Sequence, residues 1–144
     1  MKLNPAVFYV KQFTPTKWDS AEQKVKFAKN FVKFVVSDFN PKYFHKWFYQ
    51  RLSCCFGHIA HYNQQGFWQT FFTNNHDKYE FIRQTVNHPC YGQPFFTYSD
   101  VETVLIKWLK ENNVGNYYGG LVVKDVEDRE LAEYKRLKSK FEPA

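Results

Sequence analysis

The chain has 144 residues, of which 44% are hydrophobic and 24% charged, and its formal net charge is +6 at pH 7. This balance fits one folded domain over residues 1–144 and argues against a disordered chain. The three cysteines exclude a disulfide framework, because two of them are adjacent and their number is odd. Since no apolar run is long enough for a signal peptide or a membrane span, we expect a cytoplasmic protein without membrane association.

The first predicted elements are an extended N-terminal arm and a helix. The arm covers residues 1–16 and contains a β-like run, residues 6–12, bounded by prolines. The helix begins near Asp19, which has the capping-box spacing to Glu22, and its apolar positions recur at helical intervals as far as Phe39.

The middle of the chain predicts three more helices and a loop. Asn40-Pro41 ends the first helix and begins a long one over residues 41–63, and a short apolar helix follows at 66–72. Asn74-Asn75 then caps a helix that turns Tyr79, Ile82 and Val86 inward. The segment NHPCYGQPFFT, residues 87–97, contains two prolines and a glycine and is typical of a loop.

The C-terminal third predicts two helices separated by a glycine-rich loop. Ser99 and Glu102 have capping-box spacing at the head of a strongly amphipathic helix. The loop NYYGG would lead to a short strand, residues 121–123, that could pair with residues 6–12. A peripheral helix over 125–141 completes a mainly α fold, a single compact domain of five to six helices.

The stretch SCCFGHIAHYN, residues 53–63, places two cysteines and two histidines close together. On a helix, Cys54, His58 and His61 share one face, but the outer two are about 10 Å apart along the axis. One ion bound at about 2.0–2.3 Å therefore reaches two of them at most. Zinc or another divalent metal would need a further ligand such as His76, so we expect no cofactor and a packed central helix.

A metal-dependent hydrolase is the enzymatic alternative. A histidine, then a His-Asp pair, then a distant aspartate is the order used by HD-type phosphohydrolases, and the candidate ligands are His58, His61, His76 and Asp77. The distant aspartate would be Asp100 or Asp125. However, TNNHDKYEF is a polar helix start, where a carboxylate suits the helix dipole. Phosphate-binding glycine loops are absent from the sequence, and we favour a protein that is not an enzyme.

Basic residues interleaved with aromatic ones give the most distributed signal. Aromatic residues make up 21% of the chain, and KYFHKWFYQR, residues 42–51, carries five of them among its cations. Rings and cations on one surface suit phosphate contact with base stacking, and they equally suit a protein interface. We predict a binding surface of Lys26, Lys29, Lys33, Lys42, Lys46, Tyr49 and Arg51, with Tyr117 and Tyr118 in a second exposed loop.

These patterns favour a non-enzymatic, basic helical protein that binds nucleic acid or a protein that itself handles nucleic acid. From size and charge, we expect an accessory or inhibitor protein of a mobile genetic element. A third interpretation is a structural subunit that oligomerises through its aromatic residues.

Overall fold

The computed structural model describes residues 3, 6–43, 72–88 and 92–142, and within them it contains four α-helices and two short 3-10 helices. The helices are α1 (Ala21–Val36), α2 (Asn75–Asn87), α3 (Ser99–Glu111) and α4 (Val114–Phe141). The prediction of a mainly α, single compact domain is confirmed. Residues 44–63 of the predicted helix at 41–63 lie outside the described residues, and so do residues 66–71 of the predicted helix at 66–72.

Helix α1 begins one residue later than the sequence predicts, with a different capping pair. The Ser20 hydroxyl accepts the Gln23 backbone N–H at 3.2 Å, and the Gln23 side chain accepts the Ser20 N–H at 2.7 Å. The predicted pair of Asp19 with Glu22 is wrong, because Asp19 is buried and its carboxylate accepts a hydrogen bond from the Tyr98 hydroxyl at 2.9 Å.

The core is built largely of aromatic rings around Phe39. Both Asp38 and Phe39 have positive φ, 60° and 62°, a conformation that non-glycine residues seldom adopt. This turn puts Phe39 among the rings of Phe34, Phe72 and Tyr118, with centroids 4.8, 4.9 and 5.3 Å away. The buried aromatic contacts offset the backbone strain, so the turn at the end of α1 is a central packing element.

Helices α2 and α3 place their apolar faces against this core. The Asn74 side chain caps α2 by accepting the Asp77 N–H at 2.9 Å. Of the residues predicted to face inward, Ile82 is fully buried, and Tyr79 and Val86 pack against the core while partly buried. In α3 the predicted capping box is wrong, because Tyr98 occupies the N-cap position and Ser99 is already helical.

The predicted loop and strand in the C-terminal third are also wrong. Residues 115–123 belong to α4, which runs without interruption through three glycines. Two buried side chains, Val114 and Tyr118, fix this half of the helix to the core. Gly119 lies so close to α2 that an added Cβ would come within 3.3 Å of the Tyr79 ring. Tertiary packing therefore outweighs the low helix propensity of glycine.

The N-terminal segment does not pair as a strand. Among the described residues there are no strands, and Val10–Gln12 form a 3-10 helix that contacts α1. Phe8 and Phe13 are buried on α1 and anchor this segment. At the other end of the chain, nearly every side chain of α4 from residue 123 onward is exposed. No helix within the described ranges has the length and apolar character needed to cross a membrane.

Candidate binding surface

Lys26, Lys29 and Lys33, which we call the lysine face, line the exposed side of α1. Their spacing puts successive residues about 4.5 and 6 Å apart along the helix axis. The opposite side of α1 is buried through Phe27, Phe31 and other core residues, which fixes the direction of the lysines. All three side chains are exposed, and across the described part of the chain none forms an ion pair with a carboxylate. Their positive charge is thus available to an anion.

An open groove adjoins the lysine face. It has a volume of about 700 Å³ and lies between the N-terminal segment and α1, with Lys11 and Lys29 among its lining residues. Tyr9 also lines the groove and exposes 61% of its surface. Phe8 contributes a buried ring to the wall. The groove therefore brings two ammonium groups and an exposed phenol ring together, a combination that suits both phosphates and bases.

The remaining predicted surface residues fall in two groups. Lys42 is exposed on the 3-10 helix Pro41–Tyr43, which contacts α1, and its ammonium lies 5.1 Å from the centre of the Tyr43 ring. Lys46, Tyr49 and Arg51 lie outside the described residues.

The two tyrosines predicted to project from a loop have different environments on α4. Tyr118 is fully buried, and its hydroxyl donates to the Asp38 carboxylate at 2.9 Å. Burial, together with the Asp38 carboxylate, raises the pKa of Tyr118 well above its usual range. Tyr117 exposes 40% of its surface and contacts the Tyr118 ring edge to face. Tyr118 is therefore part of the core, and only Tyr117 reaches the surface.

A buried lysine organises a second surface that the sequence reasoning missed. Lys24 is fully buried, and its ammonium donates to the Pro94 carbonyl at 2.9 Å and to the Asp100 carboxylate at 2.8 Å. The other Asp100 oxygen accepts the Thr14 N–H at 2.9 Å. The Lys24–Asp100 ion pair therefore joins α1 to the first turn of α3 and holds the segments before both helices, and its loss would leave a buried charge.

The loop held by Lys24 exposes two adjacent phenylalanines. Phe95 and Phe96 expose 49% and 53% of their surfaces and contact each other edge to face. The Lys17 N–H donates to the Phe95 carbonyl at 3.0 Å, and the neighbouring Trp18 is 64% exposed. We call Trp18, Phe95 and Phe96 the aromatic tip. The signal that could have found it is two consecutive phenylalanines in a segment already identified as a loop.

The residues of the hydrolase alternative are not brought together as a site in the described part of the chain. His58 and His61 lie outside it, and His76 is exposed, with its Nδ1 3.5 Å from the Asp77 carboxylate. Asp77 accepts a hydrogen bond from the Asn74 side chain at 2.9 Å. No group of three or more potential metal ligands occurs among the described residues.

Both candidates for the distant aspartate have structural partners. Asp100 binds Lys24, and Asp125 accepts a hydrogen bond from the Asn75 side chain at 2.9 Å. Each carboxylate therefore has a function in joining helices or loops of the fold. Neither contact favours a catalytic role.

A second groove, of about 620 Å³, lies between α2, α4 and the end of α3. Its lining includes Gly119, Gly120 and Val123 from α4, and Arg83 and Lys110 at its charged positions. No carboxylate, histidine or cysteine is among the described residues that line it. The groove thus offers shape and apolar contact rather than acid–base chemistry.

Comparisons of the chain with protein-family models, with curated proteins and with solved structures gave no match.

Proposed function

We propose that the protein acts by binding nucleic acid through the lysine face and the adjoining groove. The observation that carries this proposal is the row of three exposed lysines without a carboxylate partner in the described residues. A nucleic-acid backbone is a polymer of phosphates, and each lysine that neutralises one releases a counterion. The lysine face would gather part of the net charge of +6 on one surface, where it attracts an anionic partner.

The groove beside Lys29 favours single-stranded over double-stranded nucleic acid. Stacking needs an unpaired base, and Tyr9 offers an exposed ring in the groove that Lys11 and Lys29 also line. Base stacking on an aromatic side chain contributes about 1–3 kcal/mol per base and tolerates any sequence. We therefore expect binding with little sequence preference.

The test is fluorescence anisotropy with labelled single-stranded and duplex oligonucleotides over a range of salt concentrations. The triple variant Lys26→Ala, Lys29→Ala, Lys33→Ala should bind at least about tenfold more weakly and lower the slope of log K against log salt by about 2–3. The matched control is Lys107→Ala, Lys110→Ala, Lys124→Ala, which removes the same charge from exposed positions on α3 and α4. Equal losses in both variants would mean a nonspecific charge effect and would contradict the proposal.

A protein partner is the second candidate, and the aromatic tip favours it. Exposed aromatic side chains that cluster on a surface are typical of interface hot spots. The buried Lys24 contacts fix the loop before binding, so less conformational entropy is lost when a partner docks. A protein that itself handles nucleic acid could contact this tip.

The double variant Phe95→Ala, Phe96→Ala separates the two candidates. It leaves the lysine face intact, so oligonucleotide affinity should not change. Affinity capture from the native host with the parent and the variant would reveal a protein whose retention depends on the tip. Loss of oligonucleotide binding in this variant would instead place the aromatic tip in the nucleic-acid site.

The setting of this activity is part of the proposal. The three cysteines without a disulfide pattern favour an intracellular, reducing site of action. A role as accessory or inhibitor protein of a mobile genetic element is supported by size and charge alone, and identification of the bound nucleic acid or protein would test it.

A further inference from the structure

The second half of α4 carries an apolar stripe that no described residue covers. Five side chains recur at helical spacing on one side of the helix and are at least one-third exposed, up to 70% for Phe141. They are Val123, Val126, Tyr134, Leu137 and Phe141, and we call them the α4 stripe. Glu130 occupies the position between Val126 and Tyr134. A helix that leaves its domain with such a stripe exposes apolar surface at a cost unless a partner covers it.

Charges along the same helix identify the partner. Residues 125–130 contain four carboxylates and one arginine, whereas residues 135–140 contain four cations and no carboxylate. The helix is therefore acidic where it leaves the domain and basic at its end. Only an antiparallel arrangement of two such helices places the acidic part of each beside the basic part of the other. In a parallel pair, like charges would face each other.

We propose that two copies of this chain associate through antiparallel packing of their α4 stripes about a twofold axis. In the register that matches the stripe to itself, Val126 lies opposite Leu137 of the second copy, and Glu130 lies opposite its Tyr134. The carboxylate and phenol of that second pair can form a hydrogen bond, so the polar groups in the contact are satisfied. Glu127 then faces Lys138 of the second copy.

The same register brings each stripe into the second groove of the other copy. Val123 belongs to the stripe and also lines that groove, so the two surfaces are continuous. Phe141 of the second copy lies opposite Val123, where Gly120 leaves open space and has no atom within 4 Å of an added Cβ. The most exposed large side chain of the stripe thus meets a shallow apolar groove.

Sedimentation velocity of the full chain over a wide concentration range tests this inference. We expect a monomer–dimer equilibrium that shifts with concentration, because a short helix pair makes a small interface. Leu137→Glu should leave only monomer, with unchanged circular dichroism, since Leu137 is exposed on a part of α4 where nearly every side chain is exposed. The matched control is Leu131→Glu, the same substitution at an exposed position, 51% against 38% for Leu137, about 100° round the helix from the stripe.

A charge exchange tests the antiparallel register. Glu127→Lys and Lys138→Glu should each weaken the dimer by several fold, because each creates like-charge pairs across the axis. The double variant restores opposite charges and should recover the parent dimer. A monomer at every concentration, dimers unaffected by Leu137→Glu, or no recovery in the double variant would each overturn the inference. Because oligonucleotide binding is measured separately, failure here leaves the proposed function intact.

Discussion

Helices α1 and α4 both carry several basic residues, but they use their charge differently. On α1 the three exposed lysines have one acidic neighbour on the helix, Glu22, and no ion-pair partner in the described chain. On α4 the cations follow a run of carboxylates, and Arg136 pairs with Glu133 at 2.6 Å. The first arrangement creates a local positive field, whereas the second is balanced within its own helix.

The difference shows why the number of basic residues is a poor guide to function. A lysine row on a helix that is buried on its other side has a fixed direction and can follow a line of phosphates. Cations at the end of α4 suit the dipole of their own helix and, by our inference, the acidic segment of a second copy.

The largest difference in stability is expected between two phenylalanines, Phe39 just after α1 and Phe141 at the end of α4. Phe39→Ala should lower the free energy of unfolding by about 3–5 kcal/mol, because it leaves a cavity among four aromatic rings. Phe141→Ala should change it by less than about 0.5 kcal/mol, since Phe141 is exposed. Urea unfolding of dilute protein measures both values. A comparable loss in the second variant would mean that the end of α4 packs on the body.

The next effect concerns the basic residues themselves. The lysine-face triple variant should lose at least about tenfold in oligonucleotide affinity, as described above. Lys135→Ala, Lys138→Ala, Lys140→Ala on α4 removes the same charge and should reduce affinity much less, while it weakens self-association. Anisotropy measures the oligonucleotide affinity of both variants, and sedimentation velocity measures their self-association. Each variant should be impaired in one measurement and nearly unchanged in the other. The reverse pattern would assign the binding surface to α4 instead of α1.

Substitution of Tyr118 in the buried half of α4 and of Tyr134 in its exposed half should affect stability differently. Tyr118→Phe should lower the free energy of unfolding by about 1 kcal/mol at neutral pH, because one Asp38 oxygen loses its donor while the other keeps the Lys78 ammonium 3.0 Å away. The raised pKa of Tyr118 means that its stabilising contribution is present below about pH 10 and declines as the pH rises further. The gap between parent and variant should therefore narrow in alkali. Tyr134→Phe should have no effect on unfolding of the monomer at either pH.

The smallest effect tests whether the glycines are helical. Gly120→Ala should raise the free energy of unfolding by about 0.5–1 kcal/mol, because alanine favours the helix and the new methyl group meets no atom. Gly119→Ala should gain less, since its methyl group presses on the Tyr79 ring. Thermal denaturation of dilute samples compares them. Destabilisation by Gly120→Ala would indicate a turn at this position, as the sequence pattern predicts.

Local sequence signals predicted those parts of the fold whose cause is local. The amphipathic period placed α3 and the start of α1 within about two residues of their observed ends, but it carried α1 to Phe39, three residues past its last helical residue Val36. The sequence patterns failed where distant residues decide the outcome. Lys24 can be buried because Asp100, 76 positions away, accepts a hydrogen bond from its ammonium, and neither residue has a local pattern that indicates the pair. Likewise, NYYGG is helical because Tyr118 packs against Phe39 in the turn after α1 and Gly119 packs against Tyr79 of α2.

For the binding surface, too, the sequence predicted the features that depend on local spacing and missed those that depend on distant contacts. The lysine face follows from helical spacing alone, so its exposure could be foreseen from residues 26–33. Tyr118 was misplaced because a tyrosine beside glycines is typical of loops, and Asp38, which accepts its hydrogen bond, lies 80 positions away. The aromatic tip requires knowledge that Trp18 and the Phe95 loop meet, which only the tertiary contacts supply.

Lysine footprinting with a single-stranded oligonucleotide tests the central claim most directly. A water-soluble acylating reagent modifies exposed amines, and mass spectrometry reports the fraction modified at each lysine with and without nucleic acid. We expect strong protection of Lys26, Lys29 and Lys33, weaker protection of Lys11, and little change at Lys135, Lys138 and Lys140. Protection confined to the α4 lysines, or none on α1, would contradict it.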